Sequence, residues 1–228
     1  MHLLLTTPYP IWPADFGGAT RTLCLARALS RQGHRITLLS AGDAGPASEI
    51  AGAVRWLLYS HQGQRGHFFN AGFLKAFSAI VSADVDLVLA AFPYQVGMLA
   101  PAALRAGVPI VYDAHNVEFD RFRSLGRPVT AGMIRLFEAA MNQTATNTLV
   151  VSESDAALMQ ETYGKRPQLL PNGVDLETFR PGPPCARLLE RYRLRPGRTT
   201  LFFGPLDYAI MPPTWTHFAF CWNRCGLG

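Results

Sequence analysis

The chain has few cysteines and no apolar run long enough for a membrane span, and each of these features excludes a class of protein. The 4 cysteines among 228 residues are spread too unevenly for the disulfide framework of a small secreted domain. They are Cys24, Cys185, Cys221 and Cys225. The apolar stretch from Asp86 to Phe92 is far shorter than the roughly 18 residues that a membrane-spanning helix needs. We expect a protein of a reducing compartment without a spanning helix, with Cys24 as a small buried thiol of a helix.

The amino terminus also lacks the features of a secretory signal. After Met1 and His2 the chain continues directly with Leu3 to Leu5, without a basic start, a longer apolar region or a small-residue cleavage site. We therefore expect a cytoplasmic protein, and peripheral contact with the inner face of the membrane stays open.

Motifs of several common enzyme classes are missing. Without the G-x-G-x-x-G fingerprint, a nicotinamide-dependent or epimerase-type Rossmann enzyme is disfavoured. Without a G-x-S-x-G elbow or a G-x-x-x-x-G-K-[ST] loop, the commonest acyl-transfer and phosphoryl-transfer enzymes are excluded. His217, Cys221 and Cys225 are too few and too widely spaced for a structural zinc site, so we expect no metal.

The net charge of +5 at pH 7 does not identify a partner, since nucleic acid, anionic lipid and anionic nucleotides all attract a basic protein. The densest group of arginines lies in the proline-rich segment 180–198. A solvated basic surface is the ordinary interpretation of such a group, and contact with an acidic membrane or a phosphate is the alternative.

Short apolar runs alternate with helical stretches, which predicts an α/β fold with a parallel sheet covered by helices on both faces. The predicted strands are 3–6, 35–40, 54–59, 86–92, 109–112, 148–152 and 168–170. The first crossover helix, 18–32, carries Leu23, Ala26 and Leu29 at helical spacing and ends at Gly33. Another helix opens at Ser152 with a capping sequence.

Turn-forming residues at 171–175 and prolines within 181–184 mark the end of the first domain. We expect an N-terminal Rossmann-like domain over 1–175 and a linker with a helix over 176–198. An incomplete second Rossmann domain over 199–228 would begin with a strand at 199–203. The tail 209–228 shows no clear helical or strand period in its apolar residues. Either a frameshifted gene end or a genuine variant tail explains this composition.

The segment 67–81 is strongly apolar, with Lys75 as its only Lys or Arg. Contact with a bilayer surface and burial in the domain core both explain this composition, and burial is the favoured explanation.

Polar side chains follow the fifth predicted strand. Asp113, His115, Asn116 and Glu118 come directly after the apolar run 109–112. In an open α/β sheet, ligands bind at the carboxyl ends of the strands, so these side chains are candidates for a site. Near neutral pH, an imidazole such as that of His115 can donate a hydrogen bond to a sugar hydroxyl or to a developing charge. A histidine that only stabilises its own loop is the alternative.

A glycine pair, Gly17 and Gly18, opens the first helix at the same edge of the predicted sheet. A helix start presents free amides, and glycine lets a ligand approach the backbone closely. A turn that requires a positive φ is the alternative explanation.

With two later segments, these pieces resemble the family 4 glycosyltransferases, retaining enzymes of the two-Rossmann-domain GT-B fold. The four segments are Phe16–Thr20, Val111–Glu118, Leu170–Phe179 and Leu201–Tyr208. The resemblance implies transfer of a sugar from a nucleotide sugar to a glycan or lipid-linked acceptor, as in polysaccharide biosynthesis. It implies no metal, no other cofactor and no nucleic acid as partner.

The resemblance also implies roles for individual residues. His115 would lie near the transferred sugar and stabilise developing charge as the one catalytic residue. Gly17 and Gly18 would face the donor diphosphate or the acceptor, and Asn116 and Glu118 are candidates for substrate binding.

Asn172 would belong to the hinge at the floor of the cleft, and Gly204 would lie beside the donor phosphates. The family's paired-glutamate segment is not found after Gly204. We therefore expect the chain to be inactive alone, and a non-catalytic nucleotide- or partner-binding Rossmann module is the alternative function.

A hydrolase with paired carboxylates is disfavoured, because Asp113 and Asp120 suit loop structure and pairing with Arg121 or Arg123. We expect the imidazole of His115 to be exposed on its loop, with little share in packing.

Overall fold

The computed structural model describes residues 1–43, 54–174, 176, 180 and 182–195. The chain divides into two units, Met1–Asn172 and Gly173–Gly228. The strands of the first unit are β1 (His2–Thr7), β2 (Arg35–Ala41), β3 (Val54–Tyr59), β4 (Leu87–Ala91), β5 (Ile110–Ala114), β6 (Asn147–Val150) and β7 (Gln168–Leu169). Its helices are α1 (Gly17–Arg31), α2 (Ala71–Asp84), α3 (Val96–Ala106), α4 (Glu118–Ser124), α5 (Pro128–Thr144) and α6 (Glu153–Tyr163), with a short 3-10 helix at Gln64–His67.

The strands form one parallel sheet in the order β3-β2-β1-β4-β5-β6-β7. The chain first winds from β1 towards β3 and then returns to add β4 on the other side of β1. In such a sheet the loops on either side of this switch point separate and leave a crevice at the carboxyl ends of the strands. The α/β class predicted from the sequence is confirmed.

Apolar side chains cover both faces of the sheet. Leu4 of β1 belongs to a buried cluster with Phe73 and Phe77 of α2. Its neighbours Leu3 and Leu5 belong to a second cluster that includes apolar residues of α1. Because successive side chains of a strand point to opposite faces, one continuous apolar run fills both layers.

The seven strands predicted between residues 1 and 170 are all present, and their ends differ by no more than two residues. In α1, Leu23 and Ala26 are buried, and the helix is followed by Gly33 with a φ of 86°. The Ser152 hydroxyl accepts a hydrogen bond from the Asp155 amide at 3.1 Å, which confirms the predicted cap of α6. The expected burial of Cys24 is wrong, because this residue lies on the exposed face of α1.

The apolar residues of α2 form part of the core. Phe73 and Phe77 are fully buried and Val81 is 2% exposed, so burial explains this part of the segment. Phe69, just before the helix, is 66% exposed. No helix in the part of the chain that the structure describes is long and apolar enough to cross a membrane.

The second unit contains α7 (Ala186–Arg191) among its described residues, which confirms the helix predicted at this place. The guanidinium of Arg191 lies 5.3 Å from the ring centroid of Tyr192, within the range of a cation–π contact. The strand expected at 199–203, Gly204 and the tail 209–228 lie outside the described residues.

A buried carboxylate on α5 stabilises the loop that follows β5. Glu138 accepts hydrogen bonds from the backbone amides of Glu118 at 3.0 Å and Phe119 at 3.2 Å. The hydroxyls of Tyr112 at 3.1 Å and Tyr163 at 2.8 Å donate to the same carboxylate. Because α4 has no side-chain cap of its own, Glu138 satisfies amides that a helix start leaves free.

The Glu138→Gln variant is expected to lose roughly 1.5 to 3 kcal/mol of unfolding free energy, the usual contribution of hydrogen bonds to a charged group. Burial raises the pKa of Glu138, but the hydrogen bonds from both amides and both tyrosines favour the carboxylate. Urea unfolding followed by circular dichroism measures the loss. Glu161→Gln on the exposed surface of α6 is the control, and an equal loss in both variants would contradict the assigned role.

Candidate functional site

Side chains from four parts of the chain meet at the carboxyl edge of the sheet, beside the switch point. They come from the first turns of α1, the loop after β4, the end of β5 with its loop, and the segment after β7. The residues concerned are Arg21, Phe92, Asp113, His115 and Asn172.

Asp113, the fourth residue of β5, is only 2% exposed and has charged partners. The Nη2 of Arg21 lies 2.7 Å from its Oδ1, and the Arg21 Nε lies 3.2 and 3.1 Å from its two oxygens. Burial alone would raise the pKa of Asp113, but hydrogen bonds from His115 and Arg21 outweigh it and the pKa lies below its usual value. The carboxylate is therefore ionised inside the protein.

His115 folds back onto Asp113, with its Nε2 at 2.9 Å from Oδ2 of that residue. The histidine is 9% exposed, and the ring of Phe92 packs edge-on against it with centroids 4.8 Å apart. Its other nitrogen, Nδ1, is buried and makes no hydrogen bond. The expectation of an exposed imidazole is wrong, because the loop turns the ring towards the buried carboxylate.

The two glycines at the start of α1 have different surroundings. A Cβ at Gly18 would lie 2.8 Å from the Tyr9 hydroxyl and 3.2 Å from Nδ1 of His115, so packing requires a glycine there. A Cβ at Gly17 would meet no atom within 4 Å. Neither residue has a positive φ, so the turn explanation is wrong. The exposed start of α1 at Gly17 is open to a ligand.

Aromatic rings line the same edge. Phe92 has a φ of 67°, a left-handed conformation that is uncommon outside glycine and costs about 1 to 3 kcal/mol. In this conformation its ring lies 5.2 Å from that of Tyr9, which in turn lies 5.0 Å from Phe16. The three rings and His115 form one wall beside the start of α1.

Glu118, a candidate for substrate binding, is fully buried. Its carboxylate accepts hydrogen bonds from the Tyr94 hydroxyl, from Nδ2 of Asn116 at 3.1 Å and from Nε of Arg121 at 3.3 Å. In this arrangement Glu118 stabilises the loop and is not available to a ligand. Asn116 is exposed beside His115 and remains accessible.

The acidic residues do not form a hydrolytic pair. The charge of the Asp113 carboxylate is compensated by the guanidinium of Arg21. The Glu118 carboxylate already accepts hydrogen bonds from three donors. Asp120 pairs with Arg123 at 2.5 Å, as expected from the sequence. No group of three or more His, Cys, Asp or Glu side chains within the described residues is placed to hold a metal ion.

Buried polar atoms without a hydrogen bond concentrate at this edge. Within the described ranges they are Thr6 Oγ1, Tyr9 Oη, Gln95 Oε1 and His115 Nδ1. They belong to the end of β1 and to the loops after β1, β4 and β5. Thr22 is close to the Tyr9 hydroxyl, but its own hydroxyl donates to the Gly18 carbonyl oxygen at 3.0 Å. Because buried polar groups are nearly always satisfied, this concentration indicates a place where a ligand or water completes the bonding.

Sequence reasoning missed Arg21. A carboxylate at the end of a buried strand requires a cation, and Arg21 lies one turn into the helix that faces it, which is the signal that could have found it. Asn172 accepts a hydrogen bond from Nη1 of Arg21 at 2.9 Å, so this hinge candidate contacts the site. Gly204 lies outside the described residues.

A surface groove of about 550 Å³ lies elsewhere, between α2 and α3. Val81, Asp84, Arg105 and Val108 are among its lining residues. It does not include any of the unpaired polar atoms described above, so we assign the site to the carboxyl edge.

The Arg21→Met variant is expected to lose about 3 to 5 kcal/mol of unfolding free energy, because it leaves the Asp113 carboxylate buried without its cation. Chemical denaturation measures the loss. Arg35→Met is the matched control, since Arg35 also pairs with an aspartate, Asp84, but both side chains are more than half exposed and such pairs contribute little. Similar losses in both variants would contradict the importance of the buried pair.

Comparisons with solved structures show the fold of this chain. It superposes on sucrose-phosphate synthase from Thermosynechococcus elongatus with a TM-score of 0.63 at 14% identity, covering 85% of this chain and 53% of that one. It superposes on HepE from Anabaena in complex with UDP and glucose with a TM-score of 0.60 at 16% identity, covering 85% of this chain and 50% of HepE. The chain thus spans about half the length of these proteins, which have the GT-B fold.

Sequence comparison shows the family. No curated protein sequence matches the chain. The model of Glycosyltransferase Family 4 matches residues 16–178, which is most of the chain and includes Arg21, Asp113, His115 and Asn172. The chain therefore belongs to glycosyltransferase family 4, with the Rossmann-like fold of a GT-B half.

Proposed function

We propose that this chain is the acceptor-side half of a retaining glycosyltransferase that transfers a sugar from a nucleotide sugar to a glycan or lipid-linked acceptor. The observation that carries the proposal is the buried His115, whose unpartnered Nδ1 faces the start of α1 at the switch point. The structure of HepE was solved with UDP-glucose, which supports a nucleotide sugar as donor.

In the proposed reaction, His115 hydrogen-bonds a hydroxyl of the transferred sugar while the bond to the leaving diphosphate breaks. The ring is fixed by Asp113 and packed against Phe92, so it does not reorganise as charge develops. Such a fixed group is typically worth about 2.7 to 4 kcal/mol of barrier, or a hundred- to a thousand-fold in turnover. His115 is the proposed catalytic residue.

The open amide end of α1 at Gly17 supplies donors for a polar group of the substrate, and the exposed Asn116 on the loop after β5 is a further candidate for substrate binding. We propose no metal for this reaction, because amides and basic groups of the second domain would stabilise the leaving diphosphate. Asn172 supports the site through Arg21, and Gly204 stays a candidate for the donor phosphates.

Peripheral membrane contact is part of the proposal for a lipid-linked acceptor. The core position of Phe73 and Phe77 removes these residues from such contact, whereas Phe69 remains exposed.

The purified chain is expected to transfer no sugar from UDP- or GDP-sugars, because it spans only about half the length of the GT-B proteins it superposes on. Incubation with radiolabelled donors and a mixture of glycan and lipid-linked acceptors measures transfer. Measurable sugar transfer by the purified chain, free of other enzymes, would contradict the proposal that it is only the acceptor-side half.

Joining residues 1–172 to the second half of HepE is expected to give an enzyme whose kcat falls about a hundred- to a thousand-fold in the His115→Ala variant. Some loss of stability, roughly 1 to 3 kcal/mol, accompanies this change because Asp113 loses a donor. His34→Ala, before β2 at the opposite edge, is the control. Full turnover of the His115→Ala hybrid at a temperature where it is folded would overturn the catalytic role. A hybrid that binds UDP-glucose without transfer would favour a non-catalytic binding module.

A further inference from the structure

The two ring nitrogens of His115 have different surroundings. Nε2 lies 2.9 Å from a carboxylate oxygen of Asp113, whereas Nδ1 is buried without a partner. A proton on Nε2 makes a charge-assisted hydrogen bond to Asp113. A proton on Nδ1 would leave a buried donor unsatisfied and turn a lone pair of Nε2 towards the carboxylate.

Because Arg21 compensates the charge of Asp113, the His115 ring does not have to carry a second proton to do so. The Arg21 guanidinium makes this contact through Nε and Nη2. An imidazolium would add an uncompensated positive charge to a buried site, where the side chains of Arg21 and Asp113 are only 5% and 2% exposed. Among the residues that the structure describes, Tyr9 and Glu118 are other titratable side chains beside this loop. Burial keeps the Tyr9 hydroxyl neutral, and the Glu118 carboxylate has its own donors.

We propose that Arg21 and Asp113 are positioning residues that keep His115 neutral with its proton on Nε2, so that the Nδ1 lone pair accepts a hydrogen bond from a substrate hydroxyl. This inference rests on the proposed function for the identity of the substrate. Asn172 extends the arrangement, because it accepts from the third nitrogen of Arg21 and fixes the orientation of the guanidinium.

The tautomer determines which part of a nucleotide sugar can occupy this position. A lone pair accepts a hydrogen bond from an O–H group but not from the diphosphate of a nucleotide sugar, whose oxygens carry negative charge and no proton at neutral pH. The Tyr9 hydroxyl, next to Nδ1 across Gly18, adds a neutral polar group. The position beside His115 is therefore for a hydroxyl of the sugar, and the diphosphate lies elsewhere.

Nitrogen NMR of the purified chain with ¹⁵N-labelled histidine tests the proposal at pH 7.5, and His115→Gln identifies the signals. We expect Nε2 to give the shift of a protonated ring nitrogen and Nδ1 that of an unprotonated one. A proton on Nδ1, or on both nitrogens, would overturn the proposal. This measurement requires no activity, so a failed hybrid enzyme with the expected tautomer would count against the proposed function alone.

The Asp113→Asn variant is expected to move a substantial part of the proton to Nδ1, because an amide can donate to Nε2. An unchanged tautomer in this folded variant would show that Asp113 does not set it. Arg21→Gln, which keeps the carboxylate, is expected to increase the doubly protonated ring, and an unchanged neutral ring would contradict the role of Arg21. The His34 signals are the internal control for all variants.

Dimethyl phosphate, which carries negative charge and no O–H group, tests the preference for a hydroxyl when it is added to the wild-type chain. The His115 signals are expected to stay unchanged at millimolar concentration. A phosphate-dependent change to the doubly protonated ring would overturn the assignment of this position to a sugar hydroxyl.

Discussion

The buried ion pair between Arg21 and Asp113 is the interaction on which the carboxyl edge depends. It joins residues that are 92 positions apart in the chain and is 5% and 2% exposed. Burying two charges is costly, and an apolar pair of similar size is often as stable. The pair gives the fold an arrangement that an apolar pair does not, since the same carboxylate orients His115 and the same guanidinium binds Asn172.

The loop after β5 is fixed from two sides by carboxylates. Asp113 orients His115 at the front of the loop, and Glu138 binds the amides at the start of α4 behind it. Between them, Glu118 connects Tyr94 and Arg121 to the same loop. The loop therefore has few degrees of freedom, as the proposed role of His115 requires.

The order of strands and helices could be read from the sequence because each element has its own periodicity and stop signal. The run 109–112 and the cap at Ser152 are local features, and both predict their elements correctly. The partners of Asp113 and Glu138 could not be read in this way, because they come from other elements and no local pattern links Arg21 to residue 113. Burial of His115 depends on the same long-range contact, and the sequence alone therefore predicted an exposed ring.

The left-handed backbone of Phe92 has a consequence for the evolution of this site. A left-handed backbone at a residue other than glycine costs about 1 to 3 kcal/mol, so it persists only where the surrounding packing holds it. Here the rings of Tyr9 and His115 pack against Phe92 on either side. Substitutions that make the core more stable elsewhere would give the chain room to tolerate such a conformation. The shape of the wall beside His115 thus depends on the stability of the whole sheet, so substitutions far from this wall affect which conformations it can adopt.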